Sequence, residues 1–261
     1  MMPPPTPAGI LPVHKPPGPT SAQVLNWCKA AWKRSGLRLK LGHAGTLDPL
    51  ASGLLLALVG PATRWFDPLS ALLKQYHATI RLDALSDTDD AEGPLHPLTD
   101  PQPPDLADLH AALARWSGWV LQAPPARSRV HINGTRSDGL ARAAAAAGTV
   151  LQRPAPRSVY IRQCALLAYQ WPQITIHVTC GSGTYIRSLA RDLGTALGLG
   201  GYLTALQRTA IGSLTLDDAV PIDAQARVCP TDAALWLSRL LPLEPLLQHS
   251  GEQGLFTPTE R

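Results

Sequence analysis

Gly42-His43-Ala44-Gly45-Thr46-Leu47-Asp48-Pro49-Leu50-Ala51-Ser52-Gly53 sets one acid between glycines, a proline and the apolar run Leu54-Leu55-Leu56-Ala57-Leu58-Val59. Glycine reaches backbone conformations closed to other residues, and Pro49 fixes the φ that follows Asp48, so the acid is expected on a rigid turn. The run behind it is too apolar for a surface segment and too short to cross a bilayer, which makes it a buried anchor. An Asp before a Pro at the first helical position is also an N-terminal cap, so a short helix starting at Pro49 is the alternative.

The 261 residues suffice for one large domain, or one domain plus a small appendage, and an apolar fraction of 45% argues for a globular chain. A net charge of +4 and a pI near 9.0 permit a polyanionic partner without requiring one. Cys28, Cys164, Cys180 and Cys229 are scattered with no C-x-x-C pair, which suggests neither a zinc knuckle nor a disulfide framework. Reduced thiols in a cytoplasmic compartment are the simpler reading. Residues 1–8 are proline-rich, lack the blocks of a signal peptide and read as a disordered tail. No apolar run reaches the roughly 18 residues of a membrane span.

Along the chain, a strand near residues 10–13 leads through a proline-stiffened loop to a helix that Thr20 or Ser21 caps. Val24, Leu25, Cys28, Ala31 and Trp32 fall at helical spacing, and Gly36 ends it. Arg34, Arg38, Lys40 and His43 form a basic cluster before Asp48, suited to phosphates or to a solvated face. Residues 62–73 read as a helix, and Tyr76, Ala78, Ile80 and Leu82 alternate on one face of a strand. Asp87-Thr88-Asp89-Asp90-Ala91-Glu92-Gly93 looks like a calcium loop, but Glu92 and Leu98 stand where an EF-hand needs Gly and an acid. That pattern excludes an EF-hand.

A helix over 106–116 follows. Residues 122–157 carry six arginines, at 127, 129, 136, 142, 153 and 157, against one acid, Asp138, and suit a phosphate clamp. An exposed helix at 143–147 is the plainer alternative. Strands at 159–167 and 174–180 precede a helix with the stripe Ile186, Leu189, Leu193 and Leu197. By residue pattern alone, Arg187 beside that stripe reads as a surface arginine. Residues 234–247 read as an apolar helix broken at Pro242 and Pro245.

The stretch 42–53 resembles, almost residue for residue, the catalytic motif of the TruB family of tRNA pseudouridine synthases. Lys15-Pro16-Pro17-Gly18-Pro19-Thr20-Ser21 resembles that family's first motif, with His14 where Asp is usual. Lys74-x-Tyr76, the 87–93 turn, Gly183-Thr184-Tyr185-Ile186-Arg187 and Leu206-Gln207-Arg208-Thr209 extend the match over about residues 9–212. Within 122–157, Arg127, Arg129, His131 and Asp138 depart from the usual Tyr, Ala, Lys and Tyr.

The resemblance implies an α+β fold, a long mixed β-sheet flanked by helices. It implies a catalytic domain over 9–212 with an RNA-clamping insertion at 122–157, and a reduced C-terminal extension at 213–261 too short for a full PUA domain. It implies isomerisation of uridine to pseudouridine at position 55 in the T-arm of tRNA, by a monomer, without cofactor, metal or membrane. Asp48 would be the catalytic residue and Arg187 its ion-pair partner, with Tyr76, Tyr185 and Leu206 around the uridine. His43, Arg127, Arg129 and Arg142 would contact RNA; Lys15 either supports the loop or is an ordinary solvated lysine before a turn. Two rivals stay open: a tRNA-binding folding chaperone with dispensable catalysis, and a synthase for another RNA hairpin.

Overall fold

In a computed structural model, the structure describes residues 7–128, 131–132, 135–137, 139, 143, 153–222, 230–242 and 246. Its elements in chain order are β1 (Gly9–Lys15), α1 (Ser21–Arg34), β2 (Leu41–Ala44), β3 (Ser52–Val59), α2 (Phe66–Ala71), β4 (Lys74–Arg81), β5 (Ala84–Ser86) and β6 (Leu95–Pro97). There follow α3 (Leu106–Ala114), β7 (Gly118–Gln122), β8 (His131–Ile132), β9 (Thr135–Arg136), β10 (Arg157–Gln170), β11 (Gln173–Cys180), α4 (Ile186–Ala196), β12 (Tyr202–Ile211), β13 (Leu214–Thr215), β14 (Val220–Pro221) and α5 (Pro230–Ser238). The fold is α+β, with parallel and antiparallel strand pairs and helices flanking the sheet. The chain divides into two compact units, Met1–Tyr76 with Gln207–Arg261, and His77–Leu206, so that β4 and β12 each contribute residues to both.

In the first unit the strand order is β14-β1-β3-β12, with β2 also paired to β3. The run in β3 is continuous in sequence because both of its faces are covered. Leu55, Ala57 and Val59 pack with Leu11, Val13 and the buried side of α1, while Leu54, Leu56 and Leu58 pack with Leu69, Leu72 and Ile211. Helix α1 starts where expected. The Thr20 side chain accepts from the Gln23 N–H (3.2 Å) and Gln23 Oε1 accepts from the Thr20 N–H (2.7 Å), a reciprocal cap. Part of the expected C-terminal extension belongs to this same core. Trp32 Nε1 donates to the Ala233 carbonyl (3.1 Å), Trp236 meets Trp32 edge-on at 6.1 Å, and Leu241 exchanges main-chain bonds with Ile10.

In the second unit the order is β12-β4-β11-β10-β7. Helix α4 buries Ile186, Leu189 and Leu193 of the expected stripe and also Ala190, whereas Leu197 is its half-buried C-cap. At its C-terminal end a Cβ on Gly194 would stand 2.1 Å from the Gly200 carbonyl oxygen, so only glycine permits that approach. Residues 87–93 close the β5–β6 hairpin, which bears out the turn.

Three local readings are corrected. No helix begins at Pro49; one turn bond, from the Ala51 N–H to the Asp48 carbonyl (3.1 Å), is followed directly by β3. The helix expected over 62–73 is a 3-10 turn, Gly60–Trp65, that passes into α2. The helix expected at 234–247 is α5, which starts earlier at Pro230, a residue compatible with a first helical turn.

Candidate active site

In the first unit, the loop that bears Asp48 is held through its own main chain. Ser21 Oγ donates to the Leu47 carbonyl (3.0 Å) and accepts from the Leu47 N–H (2.9 Å), which fixes the residue before the acid. Lys15, fully buried, donates through Nζ to the carbonyls of Pro16 (2.9 Å), Pro49 (3.2 Å) and Ala51. Arg208, 1% exposed, donates to the carbonyls of Leu54 (2.7 Å), Gly45 (3.0 Å) and Thr46 (3.5 Å). The Gly18 N–H adds a bond to the Pro49 carbonyl at 2.8 Å. Carbonyls on both sides of Asp48 therefore accept from buried side chains, and the half-buried carboxylate rides on a braced backbone.

Two glycines make this packing possible. Gly45 has φ +85°, and a Cβ there would lie 3.4 Å from Arg208 Nη1. Gly53 has φ +110°, and a Cβ would stand 2.3 Å from the Arg208 carbonyl oxygen, where β3 and β12 run in parallel. The other first-unit candidates are His43, half-buried on β2, and Tyr76, buried on β4. Lys74, two residues before Tyr76, is also buried and donates to the carbonyls of Leu72 (2.7 Å) and Ser70.

In the second unit, Arg187 is only 7% exposed rather than a surface residue. Its Nη1 lies 3.4 Å from the Asp90 carboxylate and donates to the Thr88 carbonyl (3.3 Å), and its Nη2 donates to the Arg127 carbonyl (3.0 Å). Asp90 is itself fixed, accepting at Oδ1 from Thr88 Oγ1 (2.6 Å) and the Glu92 N–H (3.1 Å). A planar guanidinium held on separate sides has one orientation left. Tyr185 is the N-cap of α4, and its N–H donates to Gln122 Oε1 at 2.7 Å. Leu206 is buried on β12.

The structure thus places Asp48, His43 and Tyr76 in the first unit, and Arg127, Tyr185, Arg187 and Leu206 in the second. Arg127 meets Arg187 through its main chain. Arg129 and Arg142 lie outside the described residues, as does the expected helix at 143–147 except for Ala143. Sequence reading missed Arg208, Asp89 and Asp90. The signal was present, since Arg208 sits in the Leu-x-Arg-Thr motif and the two acids in the 87–93 turn, but neither motif states what its charges hold. Arg153, counted among the clamp arginines, is engaged with Asp89 through both Nη atoms (2.6 and 2.9 Å).

The remaining chemistry is limited. Burial pushes the Cys28 and Cys164 thiols up to about 12, so neither supplies a thiolate near neutral pH. Among the described residues, no group of three or more His, Cys, Asp or Glu side chains is placed to hold a metal ion, and no helix is long and apolar enough to cross a membrane.

Residues 33–186 match the family model described as TruB family pseudouridylate synthase, N-terminal domain. The chain is 43% identical over 229 residues to tRNA pseudouridine synthase B of Cutibacterium acnes, covering 86% of this chain and 75% of that protein. It is 42% identical over 239 residues to tRNA pseudouridine synthase B of Burkholderia lata, covering 92% and 70%. Its fold is similar to a chain of a Cbf5–Nop10–Gar1 complex, with a TM-score of 0.66 at 24% identity over 92% of this chain. It is also similar to a chain of an H/ACA RNP bound to a substrate RNA containing 2′-deoxyuridine, with a TM-score of 0.58 at 25% identity over 82% of this chain. The chain spans 62% and 50% of the lengths of those two structural neighbours.

Proposed function

The chain belongs to the TruB family of pseudouridylate synthases, and from that premise we propose that it converts the uridine at position 55 of the tRNA T-arm to pseudouridine, with Asp48 as the catalytic residue. The reaction breaks the C1′–N1 bond and forms C1′–C5; C5 gives up its proton and N1 gains one. Electrons balance without an oxidant, and no group is lost, so the chemistry calls for no redox cofactor.

The uracil is inside the folded T-arm and has to leave its stack, at a cost of a few kcal/mol. In this reading Tyr76, Tyr185 and Leu206 hold the extruded base, whose π face an aromatic ring stacks against. Arg187 orients the Asp48 carboxylate by paired charge-assisted bonds, and His43, Arg127, Arg129 and Arg142 meet the RNA. The enzyme acts as a monomer in the cytoplasm. The observation that carries the reading is the loop of residues 42–53, whose carbonyls are occupied by Lys15, Ser21 and Arg208 while its one acid stays half-buried. Such preorganisation is what a reacting carboxylate requires.

The test is to incubate the protein with unmodified tRNA transcripts and map pseudouridine along each. Modification at position 55, lost when that uridine is replaced by cytidine, is expected. Modification elsewhere would overturn the site assignment, and RNA binding and refolding without any pseudouridine would favour the chaperone reading.

A further inference from the structure

Asp89 and Asp90 are neighbours in one turn, yet their carboxylates serve different arginines. Asp90 faces Arg187. Asp89, 1% exposed, accepts from both Nη atoms of Arg153 and from Arg191 Nη1 (2.9 Å). Its backbone is in the left-handed region at φ +63°, which Asp enters more readily than most residues, and the Leu203 N–H holds its carbonyl at 3.0 Å. The acid is therefore held through its main chain as well as by its arginines.

These arginines are distributed in a pattern. Arg191 lies one helical turn beyond Arg187 on α4, and its Nη2 donates to the Ala123 carbonyl (3.1 Å), which also accepts from Ser188 Oγ (2.8 Å). Ala123 and Arg127 stand at the entry to the segment 122–157, and Arg153 stands near its exit. Entry and exit are thus fastened to the same helix, the exit by way of Asp89. Asp192, next to Arg191, has its carboxyl pushed up by burial against the pull of that guanidinium.

We propose that Asp89 is a positioning residue that latches both ends of segment 122–157 to α4, and that Arg153 governs RNA affinity through this latch without touching phosphate. The proposal rests on the tRNA-modifying reading above. It assigns Arg153 a role opposite to that of a clamp arginine: its charge is matched by a buried acid and is not offered to the RNA. Replacing Arg153 leaves Arg191 on Asp89 through Nη1 and on Asp192 through Nε and Nη2, so Asp89 in the Arg153→Gln variant keeps one guanidinium partner.

The experiment compares steady-state conversion and filter binding of a T-arm stem-loop for the wild type, Arg153→Gln, Arg153→Lys, Asp89→Asn and the Asp89→Asn/Arg153→Gln double variant, across a salt series. Arg153→Gln is expected to raise KM about tenfold with kcat within about twofold. Lysine recovers part of the loss, because it keeps the charge without the fork. The double variant is no worse than Asp89→Asn, as for residues in one network, and the slope of log affinity against log salt stays at the wild-type value. Unchanged KM, additive effects, or a slope reduced by the roughly 0.7 to 0.9 that one lost phosphate contact removes would each overturn the latch. If Asp89→Asn does not fold, the Gln, Lys and salt comparisons at Arg153 decide alone. A wild type that neither binds nor converts the stem-loop would defeat the functional reading instead.

Discussion

In the loop of residues 42–53 the cations Lys15 and Arg208 reach main-chain carbonyls, whereas in the turn of residues 87–93 the acids Asp89 and Asp90 reach guanidinium groups. Both segments are locked, and the locks differ in electrical effect. A carbonyl satisfies a guanidinium's hydrogen bonds but does not cancel its charge; a carboxylate does both. The first device fixes a backbone so that the side chain it carries, Asp48, keeps one place. The second fixes side chains, and sets Arg187 by tethering the group that is itself to be presented. In each case the anchoring residues are remote in sequence from what they hold.

The largest effect that sharpens this contrast is at Arg208. Arg208→Met strips donors from one buried and two part-buried carbonyls and should cost about 3 kcal/mol, lowering Tm by roughly 6 to 12 °C in a thermal melt. A loss confined to kcat, with Tm unchanged, would break the distinction between the two locks. Asp90→Asn should act the other way. Its fold holds, while kcat on a tRNA transcript falls about tenfold to hundredfold as Arg187 loses a charged partner worth about 1.5 to 3 kcal/mol. Steady-state kinetics beside a melt would separate the two.

Two smaller tests probe the scaffolds. Thr20→Ala removes the reciprocal cap of α1 and should destabilise the first unit by about 1 kcal/mol with kcat unaltered, read by denaturant unfolding. In the second unit, burial and then the neighbouring His77, whose ring centroid lies 5.6 Å away, lower the His177 pKa. A histidine with a depressed folded pKa contributes stability that is complete above the unfolded value, about 6.5, and is lost as pH falls through the folded one. Tm should therefore drop slightly more between pH 7 and 5 in the wild type than in His177→Gln.

The parts legible in the sequence were those written locally. The cap and stripe of α1, the alternation of β4 and the glycine-bounded loop around Asp48 follow from residues within a few positions of one another. Arg187 was opaque because burying an arginine depends on Thr88 and Asp90, which no helical period announces. Arg208 is the same case: its carbonyl partners lie some 154 to 163 positions away. The family motif gave Arg187 a role beside Asp48 but not the groups that hold it, and it gave Arg208 no role. Helix α5 was expected from residue 234, where the apolar run begins, but it starts at Pro230, a residue that a first helical turn accepts.

The most direct test of the central claim is single-turnover conversion of unmodified tRNA by Asp48→Asn, with binding measured in parallel. Release of the uridine C5 hydrogen should fall at least about a thousandfold, some 4 kcal/mol in the barrier, while affinity for the tRNA stays within about threefold of the wild type. Conversion within tenfold of the wild-type rate would contradict the assignment of Asp48 and the account built on it.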